Sequence, residues 1–192
     1  MTVSTIDERT ALVVIDLQNS VVAQPTAPIG AAEVITRTRE LADAFRAHQL
    51  PVVLVRVTSS GEDWMPGRTE WPRPGGAPAE GWDQIVPELA GHTEDIIVTK
   101  RNMGAFYGTD LDLQLRRRGI TQVVLTGIAT SFGVDSTARA AYEHGYNVTL
   151  ATDAMSDRTP EGHHSAITYI FPRLGESATT REILALLEKT HS

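Results

Sequence analysis

The sequence contains no cysteine among its 192 residues. This absence excludes disulfide bonds, zinc–thiolate sites, iron–sulfur clusters and a cysteine nucleophile. Positive charge is also scarce, since 17 basic against 24 acidic residues give a formal net charge of −7. A nucleic-acid partner is therefore not expected, because no basic surface is present to displace counterions from phosphates. The one basic run, Arg116 to Arg118, is typical of the last turn of a helix.

Long apolar runs are missing as well. No stretch approaches the roughly 20 residues that span a bilayer, and residues 1–9 carry acids where a signal peptide is apolar. We therefore expect a cytoplasmic protein without membrane contacts. The length fits a single domain over residues 1–192, and the Pro- and Gly-rich stretch from Gly61 to Gly81 is expected to be a long loop within it.

Short apolar runs rich in β-branched residues predict strands, and each interval between them leaves room for a helix. Apolar residues in succession are typical of parallel strands that are covered on both faces. The alternation predicts an α/β fold: a doubly wound, mainly parallel six-stranded sheet with helices on both faces. The runs are Ala11–Ile15, Val52–Val57, Asp95–Thr99, Gln122–Thr126 and Val148–Ala151.

Helices are predicted from apolar periodicity and from end signals. Ala31 to His48 places its apolar residues on one helical face. Thr109–Arg118 and Ser131–His144 are each followed by a glycine, which is a common residue after a helix end. Thr159-Pro160-Glu161 predicts a helix start, and a last helix is expected after Thr180.

Charged residues stand where two of the predicted strands end. Asp16 follows the first strand and Lys100 follows the third. Ligands of doubly wound sheets bind beyond the carboxyl ends of the strands, so these two side chains are expected to meet at that edge. Position alone leaves a structural ion pair and a functional one equally open.

The segment from Thr126 to Arg139 runs from a strand into a helix and is rich in small residues. Free N–H groups at such a helix start favour a carboxylate or a developing oxyanion, although small residues also serve helix-to-sheet packing. The segment lacks both the G-x-G-x-x-G pattern and the Walker pattern of nucleotide sites.

Taken together, three segments resemble the isochorismatase-like hydrolases, a family that includes nicotinamidases and carbamoylsarcosine amidases. They are the strand before Asp16, the Lys100 to Leu111 stretch, and Thr-Gly-Ile-Ala-Thr ahead of a Ser-Thr-Ala-Arg helix. The resemblance implies a catalytic dyad of Asp16 and Lys100 and a non-proline cis peptide at Ile128–Ala129. It also implies that Gly133 stands where many relatives have a cysteine nucleophile.

A glycine cannot attack an amide, and the isochorismatases of the family resemble this sequence in having glycine there. The resemblance therefore implies hydrolysis of a small carboxylate-bearing vinyl ether such as isochorismate. Asp16 would be the general acid, Lys100 would orient it and pair with a substrate carboxylate, and Gly133 would provide space and an N–H. Lys100 should lower the pKa of Asp16 whereas burial should raise it, and the sequence does not decide between them.

Two other functions stay open. One is hydrolysis of a small amide by activated water, and the other is a noncatalytic ligand-binding or assembly role. Rescue by Ser131 or Ser136 is not favoured, because neither projects from the position of residue 133 and no histidine base is evident beside them.

Candidates for substrate binding surround these positions. Gln18 lies on the same side of an extended segment as Asp16, or is solvated. Arg68 and Arg73 in the loop after the second strand suit carboxylates, although surface arginines are common. Phe106 and Tyr107 wall a pocket or belong to the core, and three tryptophans suggest a lid or a subunit interface. The remaining candidates are Ile128, Ala129 and Thr130, and the tryptophans are Trp64, Trp71 and Trp82.

No metal or other cofactor is expected. Some members of the family bind zinc through an aspartate and two histidines after the second strand, but Thr58 to Trp82 contains no histidine, only Glu62, Asp63, Glu70 and Glu80. His163 and His164 do not have the spacing of a ligand pair on a helix and are predicted to be surface residues. The expected partner is a small-molecule substrate, and the resemblance implies a homo-oligomer, either a dimer or a tetramer.

Overall fold

The computed structural model describes residues 3–59, 68–70 and 78–191. These residues form a parallel sheet in the order β3-β2-β1-β4-β5-β6. The predicted doubly wound, six-stranded parallel sheet is thereby confirmed. Its strands are β1 (Thr10–Ile15), β2 (Val52–Val57), β3 (Ile96–Lys100), β4 (Gln122–Ile128), β5 (Asn147–Ser156) and β6 (Glu176–Ala178).

Among the described residues, helices lie between successive strands except between β2 and β3, and the helices that start at Pro160 and Thr180 begin within one residue of their predicted starts. Thr159 caps the helix that starts with Pro160, and Thr179 forms a capping box with Glu182. Arg116 and Arg117 lie in the last turn of their helix, as predicted. The helices are α1 (Asn19–Val22), α2 (Ala31–Ala47), α3 (Leu111–Arg117), α4 (Asp135–Glu143), α5 (Pro160–Ser165) and α6 (Thr180–Thr190). Wider π-helical turns span Thr130–Val134 and Ala166–Ile170, and a 3₁₀ turn spans Phe171–Arg173.

Strand β1 shows why the apolar runs are continuous. All six of its residues are buried. Val13 and Ile15 pack into the hydrophobic cluster on one face of the sheet, whereas Leu12 and Val14 pack into the cluster on the other face. Successive side chains of a strand point to opposite faces, so a strand covered on both sides needs apolar residues at every position.

The structure differs from the sequence prediction at the ends of several elements. Strands β4 and β5 extend beyond the predicted Gln122–Thr126 and Val148–Ala151. The helix predicted from Ser131 begins instead as a π-helical turn, with α4 following at Asp135. Strand β6 and helix α1 were not predicted, because three and four residues are too short to show a hydrophobic period.

Strand order determines where a ligand would bind. Strand β1 pairs with β2 on one side and with β4 on the other. The chain adds β2 and β3 on one side of β1 and then β4 on the other side, so the strand order reverses between β1 and β4. In doubly wound sheets the ligand crevice opens at the carboxyl ends of the strands at this switch point. No helix in the described ranges is long and apolar enough to cross a membrane.

Candidate active site

A buried ion pair lies at the carboxyl edge of the sheet. The Asp16 Oδ2 and Lys100 Nζ atoms are 2.8 Å apart, and the two side chains are 10% and 2% exposed. Asp16 directly follows β1, and Lys100 is the last residue of β3, with β2 between these strands. The long lysine side chain is what allows the contact across one intervening strand. Lys100 also donates a hydrogen bond to the carbonyl of Met103.

The protonation of Asp16 is controlled by its burial. Desolvation raises the pKa of Asp16 from 3.8 to about 6, and it outweighs the opposing charge and hydrogen bond of Lys100. The second carboxyl oxygen, Oδ1, is buried and accepts no hydrogen bond from the described residues. The carboxyl group therefore has one oxygen, Oδ2, held by Lys100 and one, Oδ1, without a hydrogen-bond partner among the described residues. The sequence left open whether the pKa of Asp16 is raised or lowered, and in the structure it is raised.

Gly133 faces the ion pair from the π-helical turn after β4. A Cβ atom at this position would lie 3.1 Å from Asp16 Oδ2 and 3.3 Å from Lys100 Nζ. It would also lie only 2.8 Å from the Cγ2 methyl of Ile15, which is closer than packed carbon atoms come. The three residues predicted to act together are thus adjacent. The space expected at Gly133 is narrower than the sequence suggested, because the buried Ile15 methyl already borders it.

Strands β1 and β4 approach each other closely where the site begins. Gly127 has a φ of +117°, and a Cβ atom there would lie 2.0 Å from the carbonyl oxygen of Ile15. Only glycine fits this position. The peptide bond between the next two residues, Ile128–Ala129, is cis, as the family resemblance implied. The register between β4 and β5 shifts between Leu125 and Gly127, a feature that is common beside active sites.

A second buried carboxylate holds the turn that contains Gly133. Asp157 directly follows β5, and its two oxygens accept hydrogen bonds from the backbone N–H groups of Ser131 (2.6 Å) and Arg158 (2.6 Å). Asp157 was not among the predicted site residues, because the fifth strand was predicted to end at Ala151, whereas β5 extends to Ser156. The Ser131 Oγ atom lies 3.1 Å from the Cβ position of Gly162.

The prediction that His163 lies on the surface was wrong. His163 is buried, and its Nδ1 atom lies 2.9 Å from the Thr130 hydroxyl. Burial lowers the pKa of His163, so its neutral form is favoured. The histidine is buried because α5 packs against the turn after β4, a tertiary contact that sequence spacing does not reveal. His164 is exposed, as predicted.

The predicted substrate-binding residues lie in different environments. Ile128 and Thr130 are buried and Ala129 is half-buried, and all three lead directly into the Gly133 turn. The Gln18 amide is buried and bonds the backbone of Val57 twice, at 3.0 Å and 2.7 Å. This pairing holds the end of β2 beside Asp16 and favours a positioning role for Gln18.

The aromatic and arginine candidates differ in exposure. The Phe106 ring packs in the core against His144 and Tyr146, with ring centroids 5.0 and 6.0 Å apart, whereas Tyr107 is 76% exposed. Phe106 is thus a core residue rather than a pocket wall. Arg68 is exposed and Trp82 is half-buried. Arg73, Trp64 and Trp71 lie outside the described residues.

Metal ligands do not converge in the part of the chain that the structure describes. No three histidine, aspartate or glutamate side chains in that part come together as a metal site requires. Of the acids in the loop after β2, Glu70 and Glu80 are exposed, and Glu62 and Asp63 lie outside the described residues. Independence from metals remains a prediction.

The fold and the site define a class of protein. It is a doubly wound parallel α/β protein that brings Asp16, Lys100 and the Gly133 turn together at the carboxyl edge of its sheet. The Isochorismatase domain family matches residues 10–182 of the chain. The chain therefore belongs to the isochorismatase family, a family of hydrolases.

Individual relatives cover nearly the whole chain. The uncharacterized isochorismatase family protein YwoC of Bacillus subtilis is 46% identical over 182 residues, which make up 92% of this chain and 93% of that protein. Ureidoacrylate amidohydrolase RutB of Stutzerimonas stutzeri is 30% identical over 189 residues, with 83% of this chain and 75% of that protein covered. The solved structure of an isochorismatase family protein from Burkholderia thailandensis is 46% identical, with a TM-score of 0.92, and covers 96% of this chain and 98% of that one.

Proposed function

We propose that this chain hydrolyses a small carboxylate-bearing vinyl ether such as isochorismate, without a covalent enzyme intermediate. One observation carries the proposal: a buried, protonatable Asp16 faces Gly133, a residue that has no side chain with which to attack. A vinyl ether needs an acid and a water molecule but no nucleophile from the protein. Membership of the isochorismatase family supports the same class of reaction.

The reaction follows from acid catalysis at carbon. Asp16 transfers its proton to the terminal methylene of the vinyl ether, and the ether oxygen shares the resulting positive charge as an oxocarbenium ion. Water adds to the carbon that bears the ether oxygen and returns a proton to the Asp16 carboxylate, which gives a hemiketal. The hemiketal collapses to pyruvate and an alcohol. The carboxylate left after the first step lies beside the developing cation and stabilises it.

Lys100 has two roles in this proposal. Its ammonium group contacts Oδ2 of Asp16 and so orients the carboxyl group. The positive charge of Lys100 also favours binding of a substrate carboxylate. That carboxylate would partly neutralise the charge and so weaken the lowering effect of Lys100 on the pKa of Asp16. Pairing of Lys100 with substrate would thus favour the protonated acid that the first step needs.

The proposal assigns Gly133 to the position of the cysteine nucleophile in other relatives. The distances of about 3 Å from its Cβ position to Asp16 and Lys100 support this assignment. A cysteine there would place its sulfur atom beside an acid and an ammonium group, which is the environment that activates a thiol. Gly133→Cys is therefore expected to bring a thiolate beside the pair, and it requires the Ile15 methyl, 2.8 Å from the Cβ position, to shift.

Purified protein incubated with isochorismate is expected to release pyruvate, measured by coupling to lactate dehydrogenase. Asp16→Asn should lower kcat by about 10²- to 10⁴-fold, as loss of a general acid does. Asp95→Asn is the matched control, because Asp95 is a buried aspartate paired with Arg46 at 2.6 Å and has no part in the site. Turnover by Asp16→Asn at the rate of the Asp95→Asn control would rule out Asp16 as the acid.

Hydrolysis of a small amide by activated water is the second candidate. The similarity to ureidoacrylate amidohydrolase favours it, and Asp16 would then act as a base. Ammonia release from a panel of small amides and ureido acids tests this alternative. If the wild type hydrolyses neither substrate class but Gly133→Cys hydrolyses amides, the chain has lost its nucleophile and serves a noncatalytic role.

A further inference from the structure

One buried hydroxyl group connects the two sides of the candidate site. Thr137 lies in α4 and has no exposed surface. Its hydroxyl donates a hydrogen bond to the Gly133 carbonyl at 2.6 Å and accepts one from the Ala105 N–H at 3.1 Å. A hydroxyl can donate and accept at the same time, so a single atom holds two separate chain segments.

The second of these segments, which contains Ala105, also accepts a hydrogen bond from Lys100. It leaves β3 at Lys100 and returns to α4 at Ala105, and its Met103 carbonyl accepts a hydrogen bond from the Lys100 ammonium group. The same segment packs tightly on α4, since a Cβ atom on Gly104 would lie 3.3 Å from the Ser136 carbonyl oxygen. The place of the ammonium group therefore depends on how this segment docks on α4.

We propose that Thr137 is a positioning residue that sets the distance between Gly133 and the Asp16–Lys100 pair. The inference rests on the proposed function, because it names the residue that holds the acid and the turn in register. Helical threonines often bond the carbonyl four residues earlier, and that bond alone would be unremarkable in sequence or structure. The bond from Ala105, which arrives from the far side of the site, is the feature that distinguishes Thr137.

Removal of the hydroxyl should separate positioning from packing. Thr137→Val keeps the size and β-branching but removes the hydroxyl bond to the Gly133 carbonyl and the acceptor of the Ala105 N–H. Thr137→Ser keeps the hydroxyl and loses only a methyl group. Thr149→Val is the matched control, because Thr149 is equally buried and its hydroxyl accepts a hydrogen bond from Gln122 at 3.1 Å, on strands rather than at the site.

With isochorismate as substrate, Thr137→Val is expected to lower kcat on the order of 10- to 100-fold, the cost of a misplacement of about 1 Å, with a smaller change in KM. Thr137→Ser should restore most of the wild-type kcat. Thr149→Val should lower stability in urea while kcat is unchanged. Equal losses of kcat in Thr137→Val and Thr149→Val, or wild-type kcat in Thr137→Val, would overturn the inference.

A second measurement does not depend on turnover. The Asp16 carboxyl resonance, assigned by its loss in Asp16→Asn, is titrated by carbon-13 NMR in the wild type and the variants. In Thr137→Val, a Lys100 side chain that is held less firmly beside Asp16 should lower the pKa of Asp16 less, so the titration midpoint should rise. The midpoint should stay in place in Thr137→Ser and Thr149→Val. An unchanged midpoint in Thr137→Val would refute the positioning role, whereas a wild type that is inactive on isochorismate would refute only the proposed reaction.

Discussion

The direction in which activity changes with pH distinguishes an acid from a base at Asp16. Burial places its pKa at about 6 rather than 3.8. At pH 7 about one molecule in 11 then carries the proton, compared with about one in 1,600 at the ordinary value, a gain of roughly 140-fold in the active form. If Asp16 is the acid, kcat/KM stays level below pH 6 and falls tenfold per pH unit above it. Between pH 5 and pH 8 the decrease should be about 90-fold.

The assay measures pyruvate by nuclear magnetic resonance in quenched samples at constant ionic strength, since coupling enzymes have pH profiles of their own. A kcat/KM that rises through pH 6 would refute the reasoning, because it would require ionised Asp16 and thus a base. A flat profile would show that Asp16 does not take part. Asp16→Asn is the control, and its residual activity should show no inflection near pH 6.

Two further predictions concern stability. Because the folded pKa of Asp16 lies above its ordinary value, its favourable contribution is complete only well below pH 3.8 and is lost as pH rises through about 6. Wild type should therefore lose about 2 kcal/mol relative to Asp16→Asn between pH 4 and pH 7. Urea unfolding of both proteins measures this, and parallel curves would contradict it. Gly133→Ala should cost about 1 to 3 kcal/mol through its clash with the Ile15 methyl, partly offset by about 1 kcal/mol of helix propensity, and should abolish activity by crowding Asp16. Gly30→Ala, where a Cβ atom meets nothing within 4 Å, is the matched control, and equal effects of both changes would refute the argument.

The sheet was predictable because its signal is local. Each residue of β1 is buried, so its apolar run is continuous and its end at Asp16 is abrupt. Strand β6 was not predictable in this way. It contains Glu176 and Ser177, is three residues long, and exists because β5 offers an edge for it to pair with. That pairing is a property of the folded sheet and leaves no period in the sequence.

The site was predictable where position in the chain decides contact, and not where packing does. The carboxyl ends of parallel strands lie at one edge, which brings Asp16 and Lys100 together whatever lies between them in sequence. The burial of His163 and the double hydrogen bond of Thr137 depend on how a helix and a loop pack on the turn after β4. The narrowness of the space at Gly133 depends on a single methyl group of Ile15, which composition cannot indicate.

Two acids occupy equivalent places, and their hydrogen bonds give them different chemistry. Asp16 and Asp157 each follow a buried strand and are each nearly unexposed. Both oxygens of Asp157 accept backbone hydrogen bonds, so this carboxylate is committed to holding the Ser131 turn. Asp16 has one oxygen fixed by Lys100 and another that accepts no hydrogen bond among the described residues. Of the two strand-end acids, we therefore expect Asp16 to be the acid of the proposed reaction and Asp157 to keep a structural role.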